Sequence, residues 1–283
     1  MPVLKDKVAV ITGGSRGLGL GIAEAFAREG AAVVIASRSR KSVDAAVQSI
    51  QGKGHRATGL PCDVGDLAQV EALAAHAVAT FGRLDIWVNN AGLSAPYGPT
   101  AHLPSSEFQA TINTNIIGVY NGSVTAIRHF VPQRSGKLIN LLGRGDNQPV
   151  PFQNAYASSK TWVRSFTAAL AKEYADSGVG IYAFNPGLVT TEMLSQVAAV
   201  QGYESRLAPL KNVVSILGNP PEVPAERALW IASSATDGRT GLNVQVITPT
   251  FLLSRGLRAA WRWITRRQEP EMPLNVETVK PVM

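Results

Sequence analysis

A single cysteine, Cys62, in 283 residues excludes an intrachain disulfide framework and any zinc site built from several cysteines. The four histidines, His55, His76, His102 and His129, are scattered without metal-ligand spacing, so no metal is expected. Neither a Ser-His-Asp order nor a pair of carboxylates invites a hydrolase reading. Charged residues make up only 17% of the chain against 45% hydrophobic, which excludes a disordered or fibrous protein. No run of about 18 apolar residues occurs, so a transmembrane helix is not expected. The opening MPVLKDKVAVITGG has none of the parts of a secretory leader, and the expected address is cytoplasmic. The net charge of +7 is unevenly placed. Arg255, Arg258, Arg262, Arg266 and Arg267 lie in an acid-free stretch, 251–267, and a polyanion partner such as nucleic acid is not expected for the rest.

What is present is an alternation of short β-branched runs with amphipathic helical stretches, the pattern of repeated βαβ units. Strands are expected at Val8–Thr12, Ala32–Ala36, Arg56–Cys62, Leu84–Asn89, Lys137–Leu142, Gly180–Asn185 and Leu242–Thr248. Helices are expected at Gly17–Glu29, Ser39–Lys53, Asp66–Phe81, Ser105–Val131, Ala155–Ala175 and Pro221–Ser234. The fold class is therefore α/β: a Rossmann-type, doubly wound parallel sheet of about seven strands in one domain over residues 1–250. Residues 192–220 have no clear period and read as a mobile excursion at the substrate site. Beyond residue 250, arginines at helical spacing oppose Leu253, Leu257, Ala260, Trp261 and Ile264, as in an amphipathic helix. It would pack on its own or a neighbouring subunit, with peripheral membrane contact through 251–267 as the alternative. The proline-bearing stretch after it, Glu269–Met283, reads as an extended arm that covers a partner subunit.

The first strand runs into Thr12-Gly13-Gly14-Ser15-Arg16-Gly17-Leu18-Gly19 and then a helix. Glycines allow a tight turn and close backbone approach, and the helix N-terminus offers free N–H groups to a pyrophosphate. The second strand ends in Ala36-Ser37-Arg38-Ser39-Arg40, without the acid that would accept hydrogen bonds from a ribose 2′-hydroxyl. Arg38, with Arg16 within reach, suits a 2′-phosphate and hence NADP(H) over NAD(H). The alternative is that Arg38 and Arg40 are merely solvated.

With these motifs the chain resembles a short-chain dehydrogenase/reductase of the shorter, single-domain branch, over about residues 5–248. The matching segments are the glycine turn, Asp63-Val64, Asn89-Asn90-Ala91-Gly92, Asn115, Tyr156-Ala157-Ser158-Ser159-Lys160 and Asn185-Pro186-Gly187-Leu188-Val189-Thr190-Thr191. The resemblance implies that Gly13, Ser15, Arg16, Gly17, Leu18 and Gly19 cradle the cofactor and that Asp63 and Val64 flank its adenine. It further implies that Asn90, Ala91 and Gly92 line the cleft, and that Pro186, Gly187, Val189 and Thr191 meet the nicotinamide end. Tyr156 and Lys160, one helical turn apart, face the same ligand. The tyrosine would be the acid for a carbonyl, or the base for an alcohol, its pKa lowered by the Lys160 ammonium and the nicotinamide charge. Lys160 would also hold the nicotinamide ribose, and Asn115 would anchor a proton-relaying water. The resemblance implies a homodimer or homotetramer as well, joined through the two long helices.

One departure is plain. The family's substrate-binding serine lies 13 residues before the tyrosine, where this chain has Gly143, and residues 136–155 contain no Ser or Thr. Losing one oxyanion donor costs on the order of 10²–10³ in rate, so hydride transfer could survive. Substitute donors would be backbone N–H groups at Gly143-Arg144-Gly145, or Asn147, Gln153 or Ser94, and the glycine would leave room for a bulkier substrate. The expected function is an NADP(H)-dependent ketone or aldehyde reductase, or alcohol dehydrogenase, acting on a small carbonyl or alcohol. The alternatives are an NADP(H)-binding sensor or scaffold without turnover, and a membrane-associated reductase of lipid-like ketones.

Overall fold

A computed structural model describes residues 2–253, 255 and 274–282 of the chain. Its first strand, β1 (Val8–Thr12), is buried along its whole length because both faces are covered by helices. Alternate residues divide between two cores: Ala9 and Ile11 join one, Val8 and Val10 the other. The same alternation in β2 (Ala32–Ser37) sends Val33 and Ile35 to the first face and Ala32, Val34 and Ala36 to the second. Helices α1 (Gly17–Arg28), α2 (Arg40–Gly52) and α9 (Glu222–Ala232) close the first face with Ile22, Phe26, Ile50 and Leu229. Helices α3 (Leu67–Phe81), α5 (Gly118–Gln133) and α6 (Asn154–Glu173) close the second with Leu73, Phe130 and Leu170.

The remaining strands of the large sheet are β3 (Ala57–Pro61), β4 (Ile86–Asn89), β5 (Gly136–Leu141), β6 (Val179–Asn185) and β8 (Asn243–Gln245). The order is β3-β2-β1-β4-β5-β6-β8 and every pairing is parallel. The side on which successive strands are added switches between β1 and β4, so a crevice opens beyond their carboxyl ends. The Rossmann-type fold expected from the sequence is the fold observed. The last strand is shorter than expected, because Pro186 ends its only neighbour, β6, and no ladder remains for residues beyond Val246.

Three expectations change more substantially. The long helix over Ser105–Val131 is divided into α4 (Ser105–Ile112), a π-helical turn at Asn113–Ile117, and α5. The excursion over 192–220 is regular structure: α7 (Glu192–Ser195), strand β7 (Gln196–Val200), a short 3-10 turn and α8 (Ala208–Leu217). The C-terminal arm adds a strand to the excursion: β9 (Asn275–Val279) runs parallel to β7, from Gln196↔Asn275 to Val200↔Val279. On the other side of β7, Tyr97 bridges Ala199, so the loop after β4 and the chain's end hold the excursion between them. The expected basic amphipathic helix lies outside the described residues beyond its first turn. Within that turn Arg255 turns back to Asn219 Oδ1, 2.7 Å away. Among the described residues no helix is long and apolar enough to cross a membrane.

Candidate functional site

The glycine turn is stitched to the end of β4. Thr12 Oγ1 accepts the Asn90 and Ala91 N–H groups at 3.1 Å, and Asn90 Nδ2 donates to the carbonyls of Thr12 and Gly13. This proximity explains the glycines. Gly13 has φ +62°, and a Cβ there would sit 2.8 Å from Ala91 Cα, while one at Gly19 would collide with the Gly13 carbonyl. Helix α1 begins with no side-chain cap, so its first-turn N–H groups remain available to an anion. At the far end of β2, the Ser37 hydroxyl is buried without a partner and Arg38 is exposed without an ion pair among the described residues. Beside them, Asp63 accepts the Gly65 N–H at 2.9 Å and Val64 is buried under α5, its carbonyl held by Asn121. A cradle of close backbone turns with an orphaned hydroxyl at the ribose end fits a nicotinamide dinucleotide.

The Pro186–Thr191 segment closes the other side. Gly187 takes φ +71° with its N–H on Asn185 Oδ1, Val189 is bridged to Asn219, and Thr191 Cγ2 would lie 3.2 Å from a Cβ at Gly17. Ser15 and Leu18 are half-buried in the turn between. Arg16, expected to share the 2′-phosphate, pairs with Glu192 Oε2 at 2.6 Å, and both side chains stay largely exposed. Glu192 opens α7, so this exposed pair ties the glycine turn to the excursion.

Deeper in the crevice the structure brings Tyr156, Lys160, Asn115 and Gly92 together. A Cβ at Gly92 would be in ordinary contact with Asn115 Oδ1 at 3.5 Å, Asn90 O at 3.8 Å and Lys160 Nζ at 4.0 Å, so this glycine forms a floor against both side chains. Lys160 is 4% exposed, donates to the Leu141 carbonyl at 3.0 Å, and stands 5.5 Å from the Tyr156 ring centroid. Asn115, in the π turn, uses its side chain on the Leu93 backbone, accepting its N–H at 2.8 Å and donating to its carbonyl at 2.9 Å, and also donates to Ser159 Oγ. Burial, with Asp146 adding to it, pushes the Tyr156 phenol up to about 12. Burial also pulls Lys160 down to about 8, against the opposing effect of Asp146. Burial is the larger cause for each group and Asp146 the smaller. Cys62 is inert as expected, its buried thiol pushed up to about 11.

Gly143 does not leave the space expected of it. A Cβ on this residue would fall well inside contact distance of Tyr156 Oη, so the phenol occupies the place where a side chain would start. Of the substitute donors, Ser94 and Asn147 are exposed, and the Ser94 hydroxyl is engaged with the Ala95 carbonyl. Sequence reasoning overlooked three groups here. Asp146 is 4% exposed, paired with Arg164 at 3.2 Å and hydrogen-bonded by Asn185 Nδ2 at 3.3 Å. Glu192 was also missed, as was a buried amide network beneath the site in which Asn89 accepts from Trp87 and donates to Asn140, which donates to Thr167. An acid three residues beyond Gly143 was the one available signal. Among the described residues no cluster of metal-ligating side chains occurs.

This arrangement has known counterparts. The short chain dehydrogenase family profile matches residues 7–202. The chain is 36% identical to 3beta-hydroxysteroid dehydrogenase 1 of Eggerthella lenta, over 89% of this chain and 98% of that one. Among solved structures, it superimposes on actinorhodin polyketide ketoreductase with NADPH at a TM-score of 0.77, with 26% identity and coverage of 85% and 95%. It superimposes on 3-ketoacyl-(acyl-carrier-protein) reductase from Brucella melitensis, complexed with NADH, at 0.76, with 29% identity and coverage of 86% and 97%. The glycine cradle, the sheet order and these likenesses together place the chain in the short chain dehydrogenase family of oxidoreductases.

Proposed function

We propose that this protein is an NADP(H)-dependent reductase of ketones or aldehydes, working in reverse as an alcohol dehydrogenase, with Tyr156 as its acid and base. The observation that carries the reading is the meeting of Tyr156, Lys160 and Asn115 beneath the Gly92 floor, with Lys160 Nζ 4.0 Å and Asn115 Oδ1 3.5 Å from the Cβ that Gly92 lacks. The orphaned Ser37 hydroxyl and the unpaired Arg38 support a 2′-phosphate at the ribose end. The first-turn N–H groups of α1 would hold the pyrophosphate, Lys160 the nicotinamide ribose, and Pro186–Thr191 the carboxamide end. When bound, the cofactor supplies the hydride. Tyr156 Oη gives its proton to the carbonyl oxygen, and the Lys160 ammonium beside it stabilises the charge left on the phenol. The crevice walls keep water from the transferred proton.

The same site supports a second reading. With no hydroxyl at Gly143 to orient a carbonyl, the protein would bind NADP(H) without turning anything over. Purified protein incubated with NADPH or NADH and a broad panel of ketones and aldehydes separates the two. Oxidation of NADPH in preference to NADH is the expected result. Protection against heat by NADPH, with no oxidation on any member, would establish the second reading. The protein further forms a homodimer or homotetramer on this proposal, joined through α5 and α6. Tyr120 stands exposed on α5 beside Phe166, whose ring stacks on Trp162 at 4.5 Å, and Ile117 is exposed at the end of the adjoining π turn. Sedimentation velocity checks it, with a monomer as the contrary outcome.

A further inference from the structure

The turn that seats the phenol also buries a carboxylate that the proposed reaction does not use. Asp146 lies three residues beyond Gly143, against which Tyr156 Oη rests, and its own N–H donates to the Gly143 carbonyl at 3.2 Å. Asn185 Nδ2, at the end of β6, bridges the Gly143 carbonyl at 3.4 Å and Asp146 Oδ1 at 3.3 Å. The turn is pinned to α6 twice, by Thr161 Oγ1 on the Gly145 carbonyl at 2.7 Å and by Arg164 on Asp146 Oδ2 at 3.2 Å. Thr161 follows Lys160 directly and Arg164 is one helical turn further on, so the carboxylate is fixed against the helix that carries both Tyr156 and Lys160. The charged and titratable groups around it are therefore Arg164, Lys160 and Tyr156 on α6, with Arg144 exposed on the turn itself and the neutral Asn185 on β6.

Resting on the proposed reductase, we propose that Asp146 is a positioning residue for Tyr156 and Lys160. Its carboxylate, clamped by Arg164 and Asn185 at the phenol's seat, keeps the proton on the phenol and the charge on the ammonium, and so favours proton donation to a carbonyl over proton removal from an alcohol. A negative charge in an enclosed site disfavours a second negative charge and favours a positive one, and Asp146 acts in those senses on both groups. Arg164 limits the effect by partial neutralisation. A buried acid serving only to pack the turn would be served as well by a neutral amide of the same shape, and that difference is measurable.

The test titrates the phenol in the NADP+-bound protein by tyrosinate ultraviolet absorbance, as the difference between each protein and its Tyr156→Phe counterpart. Asp146→Asn is expected to lower the phenol's titration by about half a pH unit or more. In alcohol oxidation its acidic limb of kcat against pH should move down by the same amount. Arg164→Gln, which leaves the carboxylate unopposed, is expected to move the titration upward, and this opposite sign keeps the test open should Asp146→Asn fail to fold. Shifts of opposite sign in the two variants establish the role. Unshifted titrations in a protein that oxidises NADPH normally overturn it. A shifted titration in a protein that turns over no carbonyl refutes the reductase instead and leaves the electrostatic role of Asp146 standing.

Discussion

The two ends of the crevice are built to different standards of departure. At the cofactor end a Cβ at Gly13, Gly14 or Gly19 would meet backbone, and Thr12 and Asn90 bind the turn to β4 through neutral hydrogen bonds. At the tyrosine end Gly143 stands where the resemblance implies a serine, the phenol leans into the space, and the buried Asp146 carboxylate, paired with a half-buried Arg164, lies behind it. Gripping a dinucleotide needs fixed backbone shape, which tolerates little change. Protonating a substrate depends on local charge, which several residue sets can supply. The difference teaches that binding and chemistry are separable here, and that substitutions at one end should leave the other nearly intact.

The largest test removes the acid. Tyr156→Phe should lower carbonyl turnover by about 10³-fold, within the usual worth of a positioned acid, while NADPH affinity by fluorescence titration stays within a few-fold. Retained turnover would show that another group donates the proton. Next comes the seat of the phenol. Gly143→Ser restores the family's residue, yet its Cβ must displace Tyr156 Oη, so kcat should fall by roughly tenfold or more. A rise in kcat would mean that the tyrosine yields and the serine hydroxyl binds the substrate.

Lys160 tests enclosure rather than chemistry. Its folded pKa of about 8 lies below its ordinary 10.5, so between these values the unfolded chain binds more protons and stability rises with pH. The gain is about 3 kcal/mol at most and is lost again as pH falls through 8. Above pH 10 the raised Tyr156 acts oppositely, since its folded form resists ionisation. Lys160→Met should reduce the rise in urea midpoint between pH 8 and 10.5, leaving the smaller share of the buried Lys137, and an unchanged slope would assign it elsewhere. The smallest effect belongs to the cofactor end. Arg38→Asp should move the NADPH-to-NADH preference by about tenfold toward NADH without altering kcat, and an unmoved ratio removes the phosphate contact.

Much of this was readable along the chain. The glycine turn, the Asn90-Ala91-Gly92 loop and the Tyr156–Lys160 spacing sit where expected, because each depends on neighbours within a few residues. The π turn at Asn115 was not readable, since it follows from Asn115 bonding Leu93 across a gap in sequence. Strand β7 was hidden in an unpatterned stretch because its ladder partners, Tyr97 and β9, come from distant parts of the chain. The pairing of Arg16 with Glu192 was hidden for the same reason: the two residues are close only once the crevice has formed.

The sequence by itself determined the alternating strands and helices, the parallel sheet and the positions of the tyrosine and lysine. Those follow from side-chain periodicity and the steric freedom of glycine, which act over a few residues. Tertiary structure alone decided how those groups are tuned: which acid faces the phenol, what fills the space at Gly143, and what holds the excursion. Desolvation and charge act through space, and their strength is set by which distant segments the folded chain encloses together.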